Sequence, residues 1–408
     1  MKVILVATNY WPEPTGIAVY TTDLAATLKA NNYQVTVLTS LPHYPWWRVP
    51  KEFAHLGEGV DSHNGVEIFR AKHLVPSKIN ALLRIRFEIS LWWNLRKVSN
   101  VLRNNNFDLV VACIPTVAAG IVGRRIAREI GIPFGLIVQD LSGAGAKQSG
   151  IRFGRNISKI VRFVEGNVIH GADGLVVVST AMRAVIERLG VPQTRITQIT
   201  NYSAREISNY AKKSAREVFG WPSDDFIVIH SGNMGAKQDL ENVVRAADAL
   251  DSDTNIKIFL VGHGNQESKL KMMCEGKKNI AVLPAVMDKD YSALLSAADI
   301  LLVNERITQM EMSLPSKLTS YLFSGRPLIA AVPRNGPTWN FLEGVAELVE
   351  AGKPSFLAQA IKNLSQNPER RRDLASKGLN FAVKNLGADI GRKKYLDWID
   401  SLLETKQG

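Results

Sequence analysis

The segment Leu314-Pro-Ser-Lys-Leu-Thr-Ser-Tyr-Leu-Phe-Ser-Gly-Arg-Pro-Leu-Ile329 reads as a loop, a helix starting near Ser316, a stop at Gly325 and a strand. A helix start carries unpaired N–H groups and the positive end of a dipole, which suits a phosphate. Lys317 adds a cation there, and Leu318 adds the next amide. Upstream, His230-Ser-Gly-Asn-Met-Gly-Ala-Lys-Gln-Asp239 follows an apolar run. Gly232 and Gly235 permit close backbone approach, Asn233 is polar, and Lys237 has the reach to contact a phosphate. Leu260-Val-Gly-His-Gly264 repeats the theme, with Gly262 at a second strand end. Taken together, Gly232, Asn233, Lys237, Gly262, Ser316, Lys317 and Leu318 read as a nucleoside-diphosphate pocket in the C-terminal half.

The N-terminal half carries three further segments. The loop Asn9–Gly16 joins a first strand to a helix, and Gly16 allows its amides to meet an anion. Ile137-Val-Gln-Asp-Leu141 ends a strand in a carboxylate, and Asp140 is placed to act on, or orient, an acceptor. The stretch from Lys78 to Arg103 is helical, basic and aromatic, with Arg84, Arg86, Trp92 and Trp93. Such a face suits an anionic membrane surface, with indoles at headgroup level, and Tyr44 and Trp46 add aromatics nearby. The acidic pairs Asp251/Asp253 and Asp288/Asp290 read as loop caps rather than ligands, so no metal and no cofactor are expected. No Ser-His-Asp order and no HExxH is present.

These groups need elements to hold them. Short apolar runs at Val3–Ala7, Gln34–Thr39, Leu109–Cys113, Phe134–Val138 and Gly174–Val178 predict buried strands. Helical patterns alternate with them at Val19–Ala30, Val117–Ile130, Ile157–His170 and Thr180–Leu189. A polar break over 201–214 precedes a restart. Strands are predicted at Phe226–Ser231, Ile256–Val261, Ile300–Val303 and Leu328–Ala331, with helices at Leu240–Leu250 and Tyr291–Ala298. This is an α/β chain of two doubly wound, Rossmann-like domains facing one another across a cleft, residues 1–200 and 215–388, joined by 201–214. A last helix, about 389–408, carries Trp398 and is expected to dock back on the first domain.

At 408 residues, two cores are the natural division. The net charge of +12 is lopsided: residues 1–200 carry 23 Lys+Arg against 13 Asp+Glu, and residues 201–408 carry 27 against 25. A basic half implies an anionic partner. No recognised nucleic-acid module accompanies it, so nucleic acid is not expected. The two cysteines, Cys113 and Cys274, fall in different halves, and a reducing cytoplasm fits them. The opening Met-Lys run is too short for a signal peptide, and no run of about 18 apolar residues predicts a spanning helix.

Tyr10–Gly16, Pro42-His-Tyr-Pro-Trp46, Val138–Leu141, Ser231-Gly-Asn-Met-Gly235, Leu314–Lys317 and Ser324-Gly-Arg-Pro327 together resemble the glycosyltransferases of family 4, on the GT-B fold. The likeness is closest to the colanic-acid and exopolysaccharide branch. The resemblance implies transfer of a sugar from a UDP- or GDP-sugar with retention at the anomeric carbon, independent of metal. It matches Lys237 to the phosphate-binding lysine, Gly16 to the glycine loop facing the donor, and Ser316 and Lys317 to the donor-diphosphate helix start. The acceptor is expected to be a saccharide, polyprenyl-diphosphate-linked, met by a cytoplasmic protein peripheral to the inner face of the plasma membrane.

The chain also departs from the family pattern. Many members carry arginine where Asn233 stands. A glutamate pair of the family falls at Met312 and Ser320, with Glu311 out of register. A family histidine of the N-terminal domain falls at Cys113 or Gln139. These departures keep two alternatives open, a non-catalytic sugar-nucleotide-binding subunit and a GT-B-type sugar-nucleotide epimerase.

Overall fold

The computed structural model of the protein describes residues 1–14, 16–56, 60–76, 81–102, 104–141, 155–203, 207–250, 255–308 and 314–404. The chain divides into two units, Met1–Ala204 with Ala388–Gly408, and Arg205–Gly387.

The first unit is built on strands β1 (Lys2–Val6), β2 (Gln34–Ser40), β3 (Val60–His63), β4 (Val66–Ala71), β5 (Leu109–Ile114), β6 (Phe134–Val138), β7 (Gly174–Val177) and β8 (Ile196–Gln198). They form one sheet in the order β3-β4-β2-β1-β5-β6-β7-β8, parallel except for the β3–β4 pair. β5, β6 and β7 are buried along their whole length, which is why they are unbroken apolar runs. β3 reads Val-Asp-Ser-His and β4 alternates glutamate and arginine with apolar residues. Neither matches the buried-strand pattern, and sequence reading passes over both, as it does over the short β8.

The final helix, Ala388–Glu404, belongs to this unit and sends Tyr395, Trp398, Ile399, Leu402 and Leu403 into its core. Room for it comes from glycines. A Cβ on Gly135 would lie 2.8 Å from the Trp398 ring, and one on Gly174 would lie 2.8 Å from Leu402. Arg392 anchors the same helix, with Nη2 2.6 Å and Nε 3.1 Å from the two oxygens of Asp23; the Tyr202 hydroxyl donates to that carboxylate at 2.6 Å.

The second unit holds β9 (Phe226–Ser231), β10 (Ile256–Val261), β11 (Ile280–Leu283), β12 (Ile300–Asn304), β13 (Leu328–Val332) and β14 (Glu347–Glu350), all parallel, in the order β11-β10-β9-β12-β13-β14. The chain winds outward from β9 one way through β10 and β11, then returns to β12 on its other side. Such a switch point opens a crevice beyond the carboxyl ends of the central strands. The helix Lys212–Phe219 begins inside the polar stretch that reads as a linker. Its Arg216 is buried, bridges to Asp299 at 2.6 Å and donates to the carbonyls of Ala297, Ser223 and Asp225.

Candidate functional site

In the second unit, β9 ends in two polar residues, His230 and Ser231, both buried. His230 Nδ1 lies 3.1 Å from the Leu302 carbonyl, an acceptor only, so Nδ1 carries the hydrogen. Nε2 is then a free lone pair, and Lys317 Nζ sits 3.0 Å from it. Lys317 opens the short helix Lys317–Phe323, preceded by Ser316 in helical conformation. Burial of this ammonium pulls its pKa down to about 7, partly offset by the nearby Glu305 carboxylate. His230 is held well below its ordinary value by burial and by Lys317. The pair is therefore a neutral imidazole supporting a lysine poised near neutrality, ready to gain full charge beside an anion.

The glycines make this approach possible. A Cβ on Gly232 would lie 3.3 Å from Lys317 Nζ, and its φ of 122° is open to glycine. Gly262, with φ 147°, abuts the Gly232 carbonyl so closely that any side chain would collide with it. Gly232, Gly262 and Lys317 thus come together as the sequence predicts.

The amides of the loop after β9 are already engaged, which the sequence alone does not show. Gly232 N–H donates to Val261 O, Met234 N–H to His263 O, and Gly235 N–H to Gln238 Oε1. These amides hold the loop rather than await a ligand. Leu318 is a correction of the same kind: its side chain lies in the core and its N–H donates to Pro315 O at 3.0 Å. An apolar helix face must bury that position, so it offers nothing to a donor. Ser316 and Asn233 are exposed. Lys237 is half-buried, and its carbonyl accepts from Arg306 N–H at 2.8 Å, tying the loop to the end of β12. Asn304 adds to that tie by donating to the carbonyls of Gln238 and Asp239 at 2.8 and 3.0 Å.

Sequence reading gave no role to His230, Tyr321, Asn304 or Glu305. Tyr321 accepts from Ser231 N–H at 2.6 Å and donates to Ser231 O, fixing the residue before the glycine loop. Glu305 accepts from the Thr338 hydroxyl at 2.9 Å. The signal available was a polar residue at the end of an otherwise apolar strand, His230 on β9 and Asn304 on β12. The family glutamate positions divide: Ser320 lies on the Lys317–Phe323 helix, while Glu311 and Met312 lie outside the described residues. Asp251 and Asp253 also lie outside them. Among the described residues no group of three or more His, Cys, Asp or Glu side chains is placed to hold a metal.

In the first unit, Gly16 precedes the helix Ile17–Ala30 with φ 68°, and a Cβ there would lie 3.1 Å from the Tyr44 ring. Two residues singled out in the sequence are therefore neighbours. Glu13 organises them. Its Oε1 accepts from the His43 and Tyr44 amides at 2.7 and 2.9 Å, and its Oε2 accepts from Asn9 Nδ2 at 2.7 Å. Burial raises the Glu13 pKa against these bonds. Asp140 Oδ1 accepts from the Leu141 amide at 2.8 Å, and adjoining Gln139 accepts from Asn201 Nδ2 at 2.9 Å.

The helix Ala81–Ser99 buries Phe87, Leu91 and Leu95 and exposes a stripe of Leu82, Arg86, Ile89, Trp93 and Lys97. Trp93 is 49% exposed, with Lys97 Nζ 5.4 Å from its ring. Trp92 is half-buried under Arg96. Arg84 departs from the expected open face: it pairs with Glu88 at 3.2 Å and lies 4.9 Å over the Phe87 ring. Glu88 in turn accepts from the Ala118 amide at 3.3 Å, at the start of the helix Val117–Ile130. Arg84 is thus engaged in holding two helices together. Tyr44 and Trp46 are each 37% exposed. Among the described residues no helix is long and apolar enough to cross a membrane.

Two solved structures share this architecture across nearly the whole chain. Sucrose-phosphate synthase of Thermosynechococcus elongatus matches with a TM-score of 0.77 at 16% identity, covering 99% of this chain and 100% of that one. HepE of Anabaena, solved in complex with UDP, matches at 0.71 and 15%, covering 98% and 100%. The fold is that of the GT-B glycosyltransferases. Residues 15–202 match the glycosyl transferase 4-like domain, and residues 211–381 match the glycosyl transferases group 1 family. The Escherichia coli (strain K12) glycosyl transferase WcaI, named for colanic acid biosynthesis, is 26% identical over 378 residues, 89% of this chain and 91% of that protein. The chain belongs to glycosyltransferase family 4.

Proposed function

We propose that this glycosyltransferase takes a UDP- or GDP-sugar on its second unit and moves the glycosyl group, with retention, to a saccharide acceptor in exopolysaccharide or lipopolysaccharide synthesis. The observation that carries the reading is the Lys317 ammonium held between His230 Nε2 and Gly232. The bond from the anomeric carbon to the diphosphate oxygen breaks, and negative charge grows on the departing phosphate. A preorganised cation stabilises that charge more in the transition state than in the ground state. Lys317 supplies it, with Lys237 as its partner from the opposite loop. The acceptor hydroxyl oxygen forms the new bond, and its proton passes to the departing phosphate, so no separate base is required. Asp140 orients the acceptor. Binding of UDP and UDP-glucose by HepE favours a uridine donor.

The acceptor is carried on a polyprenyl diphosphate, and the protein works without metal at the inner membrane face. The exposed Arg86, Ile89, Trp93 and Lys97 stripe supports that placement. Incubation with UDP- and GDP-sugars, with and without membrane lipid extract, tests the proposal. Nucleotide release that depends on the extract is the expected result; conversion of the donor to a stereoisomeric sugar-nucleotide without any acceptor, its nucleotide still attached, contradicts it in favour of an epimerase. Ser320, where the family carries a glutamate, motivates a second reading as a binding subunit. That reading requires donor binding with no release in either arm.

A further inference from the structure

The helices Val117–Ile130 and Arg155–His170 pack side by side and leave a cleft of about 550 Å3, lined by Arg124, Arg125, Arg128 and Glu129 with Ile121 and Val164. Arg124 is engaged within it, donating from Nη1 to Asn167 O and Oδ1 at 2.8 and 2.9 Å. Arg125 gives Nε to Glu129 at 2.7 Å, yet its Nη1 is buried with no hydrogen-bond partner among the described residues. A buried guanidinium donor without an acceptor is costly unless something fills the place. Arg128 is exposed at the same cleft. Three arginines against one glutamate leave the cleft lining with a net positive charge, and the guanidinium groups of Arg125 and Arg128 have the planar forks that match phosphate oxygens.

The helix that supplies Val164 and Asn167 to this cleft also carries apolar side chains in solvent. On it Ile160 is 62% exposed and Phe163 73% exposed, each next to an exposed cation, Lys159 and Arg162. A soluble phosphate compound leaves those two side chains unexplained. A bilayer accounts for both, because cations meet headgroups while apolar tips enter the acyl boundary. The excess of 23 Lys+Arg over 13 Asp+Glu in residues 1–200 complements the same surface. We infer that the Arg124/Arg125/Arg128 cleft takes the phosphate of an anionic phospholipid headgroup, with Ile160 and Phe163 seated in the lipid beside it. This deepens the membrane placement proposed above: it names the lipid chemistry and puts it on a helix pair beyond Ala81–Ser99.

Flotation of the whole chain with vesicles tests it, using phosphatidylcholine alone or with phosphatidylglycerol. The chain is expected to float with the anionic vesicles and not with pure phosphatidylcholine. Arg125→Gln/Arg128→Gln should weaken anionic-vesicle binding by about tenfold or more, near what two surface cations contribute. Phe163→Ser should weaken it about fivefold. Arg128→Glu alone, at an exposed position, keeps the test sound if the double variant misfolds. Unchanged flotation of Arg128→Glu or equal binding to pure phosphatidylcholine overturns the inference. Vesicle binding needs no donor, so flotation as expected in a chain that binds no nucleotide would sink the transfer reading alone.

Discussion

Lys317 Nζ donates to His230 Nε2 across 3.0 Å, joining side chains 87 positions apart in the sequence. The histidine's other nitrogen is committed to the Leu302 carbonyl, so the imidazole has a fixed tautomer and a fixed direction. This positions the lysine without neutralising it, as a carboxylate partner would. The ammonium keeps its capacity for a new anion.

That arrangement has a pH signature. The Lys317 pKa, about 7 in the folded chain, lies below the ordinary lysine value of 10.5. The unfolded state therefore binds more protons between these values, and this group's contribution to stability rises with pH there and is lost as pH falls through about 7. A bound diphosphate favours the charged amine, so ligand binding above pH 7 takes up a proton. Calorimetry of UDP binding in buffers of different ionisation enthalpy should show this uptake at pH 8, and Lys317→Met should abolish it.

Gly262→Ala should damage the second unit. Its φ of 147° suits glycine, and the new methyl would strike the Gly232 carbonyl. A loss of about 1–3 kcal/mol is expected in urea denaturation, with weaker nucleotide binding. Gly344→Ala, also at positive φ but in open space, should lose stability without affecting the nucleotide.

Tyr321→Phe removes the acceptor for the Ser231 amide, leaving a buried donor unpaired. A cost of about 1–3 kcal/mol follows. Because Ser231 leads into Gly232, UDP affinity should fall several-fold while the helix content seen by circular dichroism is kept.

The closing helix should act on the first unit. Trp398→Ala empties the space that Gly135 and Gly174 leave for the indole, and about 3–5 kcal/mol of stability should go with it. Hydrogen exchange should show lost protection in β5 and β6, with β9 and β12 unchanged.

Buried parallel strands were the most legible part of the chain. β1, β5, β6, β9 and β12 are apolar runs because both faces are covered, and the sequence shows them as such. β3 and β14 lie at sheet edges, where one side meets solvent and the pattern blurs. Gly232, Gly262 and Lys317 lie close together because the ends of β9 and β10 and the start of the Lys317–Phe323 helix converge, and a glycine or lysine at each of those ends is visible in the sequence. Leu318 departs from the sequence expectation because core packing claims its side chain and the Pro315 carbonyl its amide. His230 escaped notice because its role depends on Leu302 and Lys317, distant in sequence and adjacent only in the fold.

The most direct measurement is the affinity of UDP and GDP for the whole chain and for Lys317→Met, by isothermal titration calorimetry at pH 6.5. Charge-assisted hydrogen bonds to a phosphate contribute roughly 1.5–3 kcal/mol, so the variant should bind about 10- to 100-fold more weakly while melting at or above the temperature of the unmodified chain. Equal affinity in the two proteins would contradict the account.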